Sequence, residues 1–160
     1  MKEYNIYISA CIATQEELSL KERELIREAV DAAESSYSPY SHFAVGAALR
    51  LDTGEIIKGS NQENASYPVG CCAERTALFW TGANRKNAVI CEIAVVAING
   101  GQVTEVITAP CGMCRQALLE VERRQKKPIR VFLCGKDEVV ILNQVADLLP
   151  LSFDAEKMSV

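Results

Sequence analysis

Three cysteines and one glutamate stand at spacings that suit a catalytic metal site. Cys111 and Cys114 form a C-x-x-C pair, and Cys72 is followed two residues later by Glu74. Three sulfur ligands leave the fourth position of a tetrahedral zinc ion open, as in catalytic rather than structural sites. Zinc lowers the pKa of a bound water toward neutrality, and a nearby carboxylate can carry its protons. The spacing therefore indicates zinc-assisted hydrolysis.

The residues around these four groups narrow the chemistry. The C-x-x-C pair alone is weak evidence, because redox motifs and structural zinc sites share its spacing. Pro110 precedes the pair, and Ala73 separates Cys72 from Glu74. Together they match the signature of zinc-dependent base deaminases, in which a cysteine can replace the histidine ligand. The pattern predicts attack of an activated water on a ring carbon bearing an amino group, with Glu74 passing a proton to the departing ammonia.

The charge of such a centre needs compensation. Three thiolates and one zinc ion carry a net negative charge, which polarises water less well than three neutral histidines would. Cys72 and Cys111 stand at predicted helix starts, where free amides and the helix dipole favour thiolates. Arg75, next to Glu74, and Arg115 could offset part of the excess charge.

Predicted helices and strands position these groups. A first helix should begin at Ser19, because Ser19 and Glu22 match a capping box. A second helix is predicted over residues 72–81, and a third from Pro110 until Lys126 and Pro128 end it. The predicted strands are residues 43–51, 55–59, 92–98, 129–134 and 139–142. Only four residues separate the last two strands, so these must be antiparallel neighbours.

Length and composition limit the classes of protein to which this chain can belong. We expect residues 19–160 to form one domain and residues 1–18 to be an N-terminal extension. The net charge of −4 disfavours nucleic-acid binding, and no apolar run is long enough to cross a membrane. Seven cysteines in a chain of this size fit a reducing compartment better than a disulfide framework. These features predict a cytoplasmic protein that is not expected to bind nucleic acid or a membrane.

Four ordered blocks of the sequence resemble the cytidine deaminases, in particular the small form with three zinc-binding cysteines. The blocks are residues 38–48 (SPYSHFAVGAA), 61–67 (NQENASY), 72–77 (CAERTA) and 110–116 (PCGMCRQ). The resemblance implies a three-layer α/β/α fold around a five-stranded mixed sheet, and assembly as a homotetramer. It also implies conversion of cytidine and deoxycytidine to uridine and deoxyuridine, a step of pyrimidine salvage.

The resemblance also implies residue roles. By position, Cys72, Cys111 and Cys114 would hold Zn²⁺, and Glu74 would move protons. Asn61 and Glu63 match a pair that hydrogen-bonds the ribose, Phe43 an aromatic that packs on the pyrimidine, and Ala73 an amide that binds the base. Phe153 resembles a late aromatic that reaches a neighbouring subunit.

Other interpretations stay open from the sequence alone. The three cysteines could be buried thiols or a structural site, and Glu74 a carboxylate favoured by the helix dipole. Asn61 and Glu63 could be turn residues, and Phe43 a core residue. The substrate could be another aminopyrimidine, such as the antibiotic blasticidin S. The chain could also be a non-catalytic zinc-binding protein that keeps the fold.

Overall fold

A mixed β-sheet runs through the middle of the molecule, and helices cover both of its faces. The computed structural model describes residues 1–158, except the side chains of residues 156 and 157. Residues 159 and 160, which the predicted domain includes, lie outside the described residues. The helices are α1 (Leu20–Ala33), α2 (Ala73–Asn84) and α3 (Gly112–Gln125). The strands are β1 (Ala10–Thr14), β2 (Phe43–Leu51), β3 (Ile56–Ser60), β4 (Ile90–Asn99), β5 (Gln102–Val103), β6 (Arg130–Cys134) and β7 (Glu138–Leu142).

The strand order is β1-β7-β6-β4-β2-β3, and the short β5 pairs with β4. β4 and β6 are parallel, and every other pair is antiparallel, so the sheet is mixed. All five predicted strands are present, and the predicted antiparallel pairing of the last two is confirmed for β6 and β7. Two further strands, β1 and β5, raise the number of strands among the described residues to seven, against the five expected. β1 arises in the N-terminal segment and covers the edge of β7.

Two apolar cores confirm the three-layer α/β/α arrangement. One core packs α1 against the sheet, and the other packs α2 and α3 against the opposite face. β4 lies between β2 and β6 and contributes to both cores, as its apolar sequence predicts. Among the described residues, no helix is long and apolar enough to cross a membrane.

Two glycines set the distance between the helices and the sheet. A Cβ on Gly46 would overlap the Ala29 carbonyl of α1. A Cβ on Gly59 would lie 2.5 Å from the Ala73 carbonyl oxygen, in the first turn of α2. Glycine is therefore required where β3 supports the beginning of α2.

The starts and ends of the helices follow their sequence signals. Ser19 caps α1, and Ser19 and Glu22 form the predicted capping box. Cys72 and Cys111 are the residues at which α2 and α3 begin. α3 ends at Lys126, whose φ of 54° is left-handed. The sequence thus places two of the three candidate ligands, Cys72 and Cys111, at helix starts, and Cys114 one turn inside α3.

Candidate metal centre and active site

The starts of α2 and α3 bring the three predicted sulfur ligands together. The sulfur atoms of Cys72, Cys111 and Cys114 all lie within 4.8 Å of one another. The Cys72 and Cys111 sulfurs are 3.8 Å apart, and those of Cys111 and Cys114 are 3.5 Å apart. A tetrahedral ion with zinc–sulfur bonds of about 2.3 Å separates its sulfur ligands by about 3.8 Å. The cluster therefore has the dimensions of three corners of a zinc site.

The pKa shifts of Cys72 and Cys114 are also consistent with a site that binds a cation. Hydrogen bonds with Cys114 and Arg75 lower the pKa of Cys72 to about 5. The contact with Cys72, together with burial, raises the pKa of Cys114 well above its usual range. Within this pair, one thiol therefore ionises at the expense of its neighbour, and a bound cation would favour the thiolate form of both. This donor set fits the zinc ion that the fold family implies.

Glu74 occupies the first turn of α2 beside the cluster. Its side chain is only 3% exposed. Burial raises the pKa of the Glu74 carboxyl, and the charge on Cys72 adds to the rise. A carboxyl group with a raised pKa is suited to accept and return a proton near neutral pH.

Arg75 and Arg115 have different surroundings. The Arg75 Nη2 lies 3.8 Å from the Cys72 sulfur and 3.4 Å from the Gly70 carbonyl oxygen. Its Nε is buried and has no hydrogen-bond partner among the described residues. The Arg115 guanidinium donates to the carbonyls of Pro110 and Leu148. It therefore holds the start of α3 against the short 3-10 helix Val145–Leu148.

A cleft of about 450 Å³ opens beside the metal cluster. Its lining includes four of the predicted site residues, Cys72, Arg75, Asn61 and Glu63. Phe43 lies half-buried at the start of β2 and Ala73 is fully buried at the start of α2, and neither is among the residues that line this cleft. The first N–H groups of a helix have no intrahelical acceptor, which leaves the Ala73 amide available at this end of α2.

The loop between α1 and β2, which we call the serine-rich loop (residues 34–42), holds the side chains of Asn61 and Glu63 in place. The Asn61 Oδ1 accepts from the Ser36 hydroxyl at 2.6 Å and from the Val45 N–H at 2.8 Å. Its Nδ2 donates to the Phe43 carbonyl at 3.0 Å, which uses one of its two hydrogens. The Asn61 side chain therefore has one donor left for a ligand.

Glu63 is held by three donors from the same loop. The Ser41 hydroxyl donates to Oε1, while the N–H groups of Tyr40 and Ser41 donate to Oε2. The Ser41 hydroxyl, more than the backbone donors, lowers the pKa of Glu63. Sequence reasoning did not find Ser36 or Ser41, because only the fold brings these loop residues beside β3.

Fold and site together define a zinc-dependent deaminase. The family model described as the cytidine and deoxycytidylate deaminase zinc-binding region matches residues 19–127. The chain therefore belongs to this family. A cytidine deaminase from Halalkalibacterium halodurans is 43% identical over 135 residues, which cover 84% of this chain and 96% of that protein.

Two further comparisons agree. A cytidine deaminase from Sporosarcina psychrophila is 38% identical over 136 residues, covering 85% of this chain and 93% of that protein. The crystal structure of cytidine deaminase from Burkholderia pseudomallei is 41% identical, has a TM-score of 0.69, and covers 81% of this chain and 97% of that chain. The division of the chain at residue 19 stays a prediction, since the structure also joins residues 10–14 to the sheet.

Proposed function

We propose that this chain hydrolyses cytidine and deoxycytidine to uridine and deoxyuridine, with release of ammonia. The observation that carries the proposal is the three-sulfur cluster beside the buried Glu74, in a chain that closely matches cytidine deaminases over most of its length. The reaction would serve pyrimidine salvage.

The proposed roles follow the geometry of the site. Cys72, Cys111 and Cys114 would hold Zn²⁺, which would supply Lewis-acid activation of a water for attack on the ring carbon. Glu74 would accept one proton from that water and deliver it to the ring nitrogen. It would then take a second proton from the hydroxyl added to the ring carbon and deliver it to the amino group, which leaves as ammonia. The Ala73 amide binds the base, and Phe43 packs against it. Burial of Glu74 supports its role, because it favours the protonated form that the second half of the reaction needs.

Arg75 is the proposed charge compensation at the metal. Its guanidinium is the cation nearest the Cys72 sulfur among the groups described above. Replacing Arg75 with Gln should lower turnover or zinc affinity, because the negative charge of the centre would then be uncompensated. Unchanged kinetics and unchanged zinc content would contradict this role.

Asn61 and Glu63 are the proposed ribose contacts. Each is held by the serine-rich loop and lines the cleft, so each presents its remaining hydrogen-bonding capacity in a fixed direction. Arg75 is the only cation among the described residues that line the cleft, and it already contacts Cys72 and Gly70. The cleft therefore suits an uncharged nucleoside better than a nucleotide or a nucleic acid.

We also propose a homotetramer in the cytoplasm. Phe79, Met113 and Phe153 expose more than half of their surface around the starts and flanks of α2 and α3, which supports contact with other subunits. The Gln116 Nε2 donates to the Phe153 carbonyl at 2.9 Å, so the late aromatic is tied beside the site. All seven cysteines are free thiols, as is typical of a reducing compartment.

A substrate panel tests the proposal. The zinc-loaded protein should deaminate cytidine and deoxycytidine, and should act far more slowly on cytidine 5′-monophosphate and on blasticidin S. Preference for blasticidin S or for the monophosphate would refute the nucleoside assignment. Zinc binding without deamination of any of the four compounds would indicate a non-catalytic zinc protein.

A further inference from the structure

The N-terminal residues 4–14 form an unusual exposed segment, which we call the edge segment. It contains no charged residue, no proline and no glycine in eleven positions. Its large apolar side chains are exposed, with Tyr4 at 79%, Tyr7 at 87% and Ile12 at 64%. The segment lies outside the residues that the family model matches. Deamination gives it no role, so its exposure requires another explanation.

The C-terminal half of the edge segment is β1, the last strand of the sheet. β1 pairs with β7 along one edge, from Ala10 with Leu142 to Thr14 with Glu138. Its other edge pairs with no strand among the described residues, although the Thr14 N–H at the end of β1 donates to the Glu17 carboxylate. Natural edge strands are usually protected by lysine, proline or a bulge, because an open edge is a template for another strand. The edge segment has no such protection.

The side chains of the edge segment alternate in a way that suits pairing with itself. Every second residue is apolar or β-branched, in the order Tyr4, Ile6, Ile8, Ala10, Ile12 and Thr14. Only residues 10–14 are strand in the single chain, and residues 4–9 have no assigned secondary structure. If pairing extends the strand to residue 4, these six side chains share one face. An antiparallel pair with a two-fold axis at Ser9 sets Ile6 of one copy opposite Ile12 of the other, and Ile8 opposite Ala10. The apolar faces of the two copies therefore join into one.

The charges that flank the segment fit the same register. Lys2 precedes the segment, and Glu16 follows it. β1 ends at Thr14, and Glu16 lies in the 3-10 turn Gln15–Glu17 that follows it. With the axis at Ser9, Lys2 of each copy comes next to this acidic turn of the other, so the two ends of the pair attract each other. A shift by one residue would move the apolar set of one copy to the opposite face of the pair. One register therefore satisfies both the apolar pattern and the charges.

We propose that the edge segment of one chain pairs antiparallel with the edge segment of a second copy, which makes one sheet continuous across the two chains. The interface is isologous, because the same residues meet from both sides. It is separate from the exposed side chains around α2 and α3, since it lies at the β1 edge of the sheet.

A cross-linking experiment tests the register directly. With the axis at Ser9, residue 7 of one copy faces Cys11 of the other, and Cys11 is an exposed free thiol. Directly opposed residues in antiparallel strands have Cα atoms about 4.5–5.5 Å apart, which a disulfide can span. The Tyr7→Cys variant of the full zinc-loaded chain, treated with oxidised glutathione, should give a band at twice the 17.5 kDa chain mass on a non-reducing denaturing gel.

Two matched variants serve as controls. Asn5→Cys lies on the same side of the strand but faces Ala13 of the second copy, so it should cross-link at least tenfold less. Adding Cys11→Ser to Tyr7→Cys should abolish the band. Equal cross-linking of Tyr7→Cys and Asn5→Cys, no dimer from either, or a band that survives Cys11→Ser would overturn the proposal. Cytidine turnover, measured on the same samples, reports on the proposed function independently of this result.

Discussion

Replacement of Gly59 with alanine should displace the first turn of α2 and thereby lower the activity of the candidate active site. The new Cβ would lie 2.5 Å from both the Ala73 carbonyl oxygen and the Ala77 backbone nitrogen. Restoring ordinary van der Waals contact requires the helix to move away by about 1 Å. Both atoms belong to the backbone, so no side-chain rotation can relieve the overlap.

The displaced turn carries Cys72 and Glu74. A shift of about 1 Å in catalytic groups can lower the rate about 100-fold, and overpacking of this kind costs about 1–3 kcal/mol of stability. The Gly59→Ala protein should therefore show a 10- to 100-fold loss of kcat/KM for cytidine, by the estimate just given. It should also bind zinc more weakly, because Cys72 moves relative to Cys111 and Cys114.

The assay combines ultraviolet-monitored deamination, zinc content and thermal unfolding. Gly82→Ala is the matched control, because an added Cβ there meets nothing within 4 Å and the position lies in the same helix. Gly46→Ala controls for stability alone, since its overlap is with α1 on the opposite face of the sheet. Native activity and zinc content in folded Gly59→Ala, or an equal loss in Gly46→Ala, would refute the reasoning.

Three further results are expected. Ser41→Ala removes one of the three donors to Glu63, worth about 1 kcal/mol, so KM for cytidine should rise about fivefold while kcat stays the same; an unchanged KM would contradict the positioning of Glu63. Glu122→Gln should lower the free energy of unfolding by about 2–4 kcal/mol, because the buried carboxylate accepts three backbone N–H bonds. Chemical denaturation measures this change, and the exposed control Glu120→Gln should change the free energy of unfolding much less. Burial raises the pKa of the Cys134 thiol to about 12 in the folded protein. The stability that the protonated thiol contributes is therefore fully present below the ordinary thiol pKa and is lost as pH rises toward 12. Between about pH 8 and 11, the free energy of unfolding should fall more steeply for the native protein than for Cys134→Ala, and equal slopes would argue against the raised pKa.

Local signals in the sequence predicted the parts of the fold that depend on neighbours in the chain. The Ser19 capping box set the start of α1, and the short turn before β7 required an antiparallel pair. The convergence of the three candidate sulfur ligands was predictable for a similar reason. Cys111 and Cys114 are one helical turn apart, and the C-x-E pattern selects Cys72 rather than Cys71.

Features that depend on distant contacts were not predictable. β1 forms because residues 10–14 pair with the open edge of β7. No residue near positions 10–14 indicates in the sequence that this partner strand is available. In the sequence, Glu122 is one more charge on a predicted helix, yet the fold buries it against the backbone of residues 129, 145 and 146. Ser41 lies 22 positions before Glu63, so its contact required the completed loop.

The central claim, zinc-assisted deamination with Glu74 as the proton carrier, is tested most directly by one comparison. Zinc-loaded native protein and its Glu74→Gln variant are assayed side by side for conversion of cytidine to uridine, and the zinc content of each is measured. The native protein should produce uridine, and the variant should keep its zinc but lose about 100- to 10,000-fold in rate. Equal rates in the two proteins, or no uridine from a fully zinc-loaded native protein, would contradict the account.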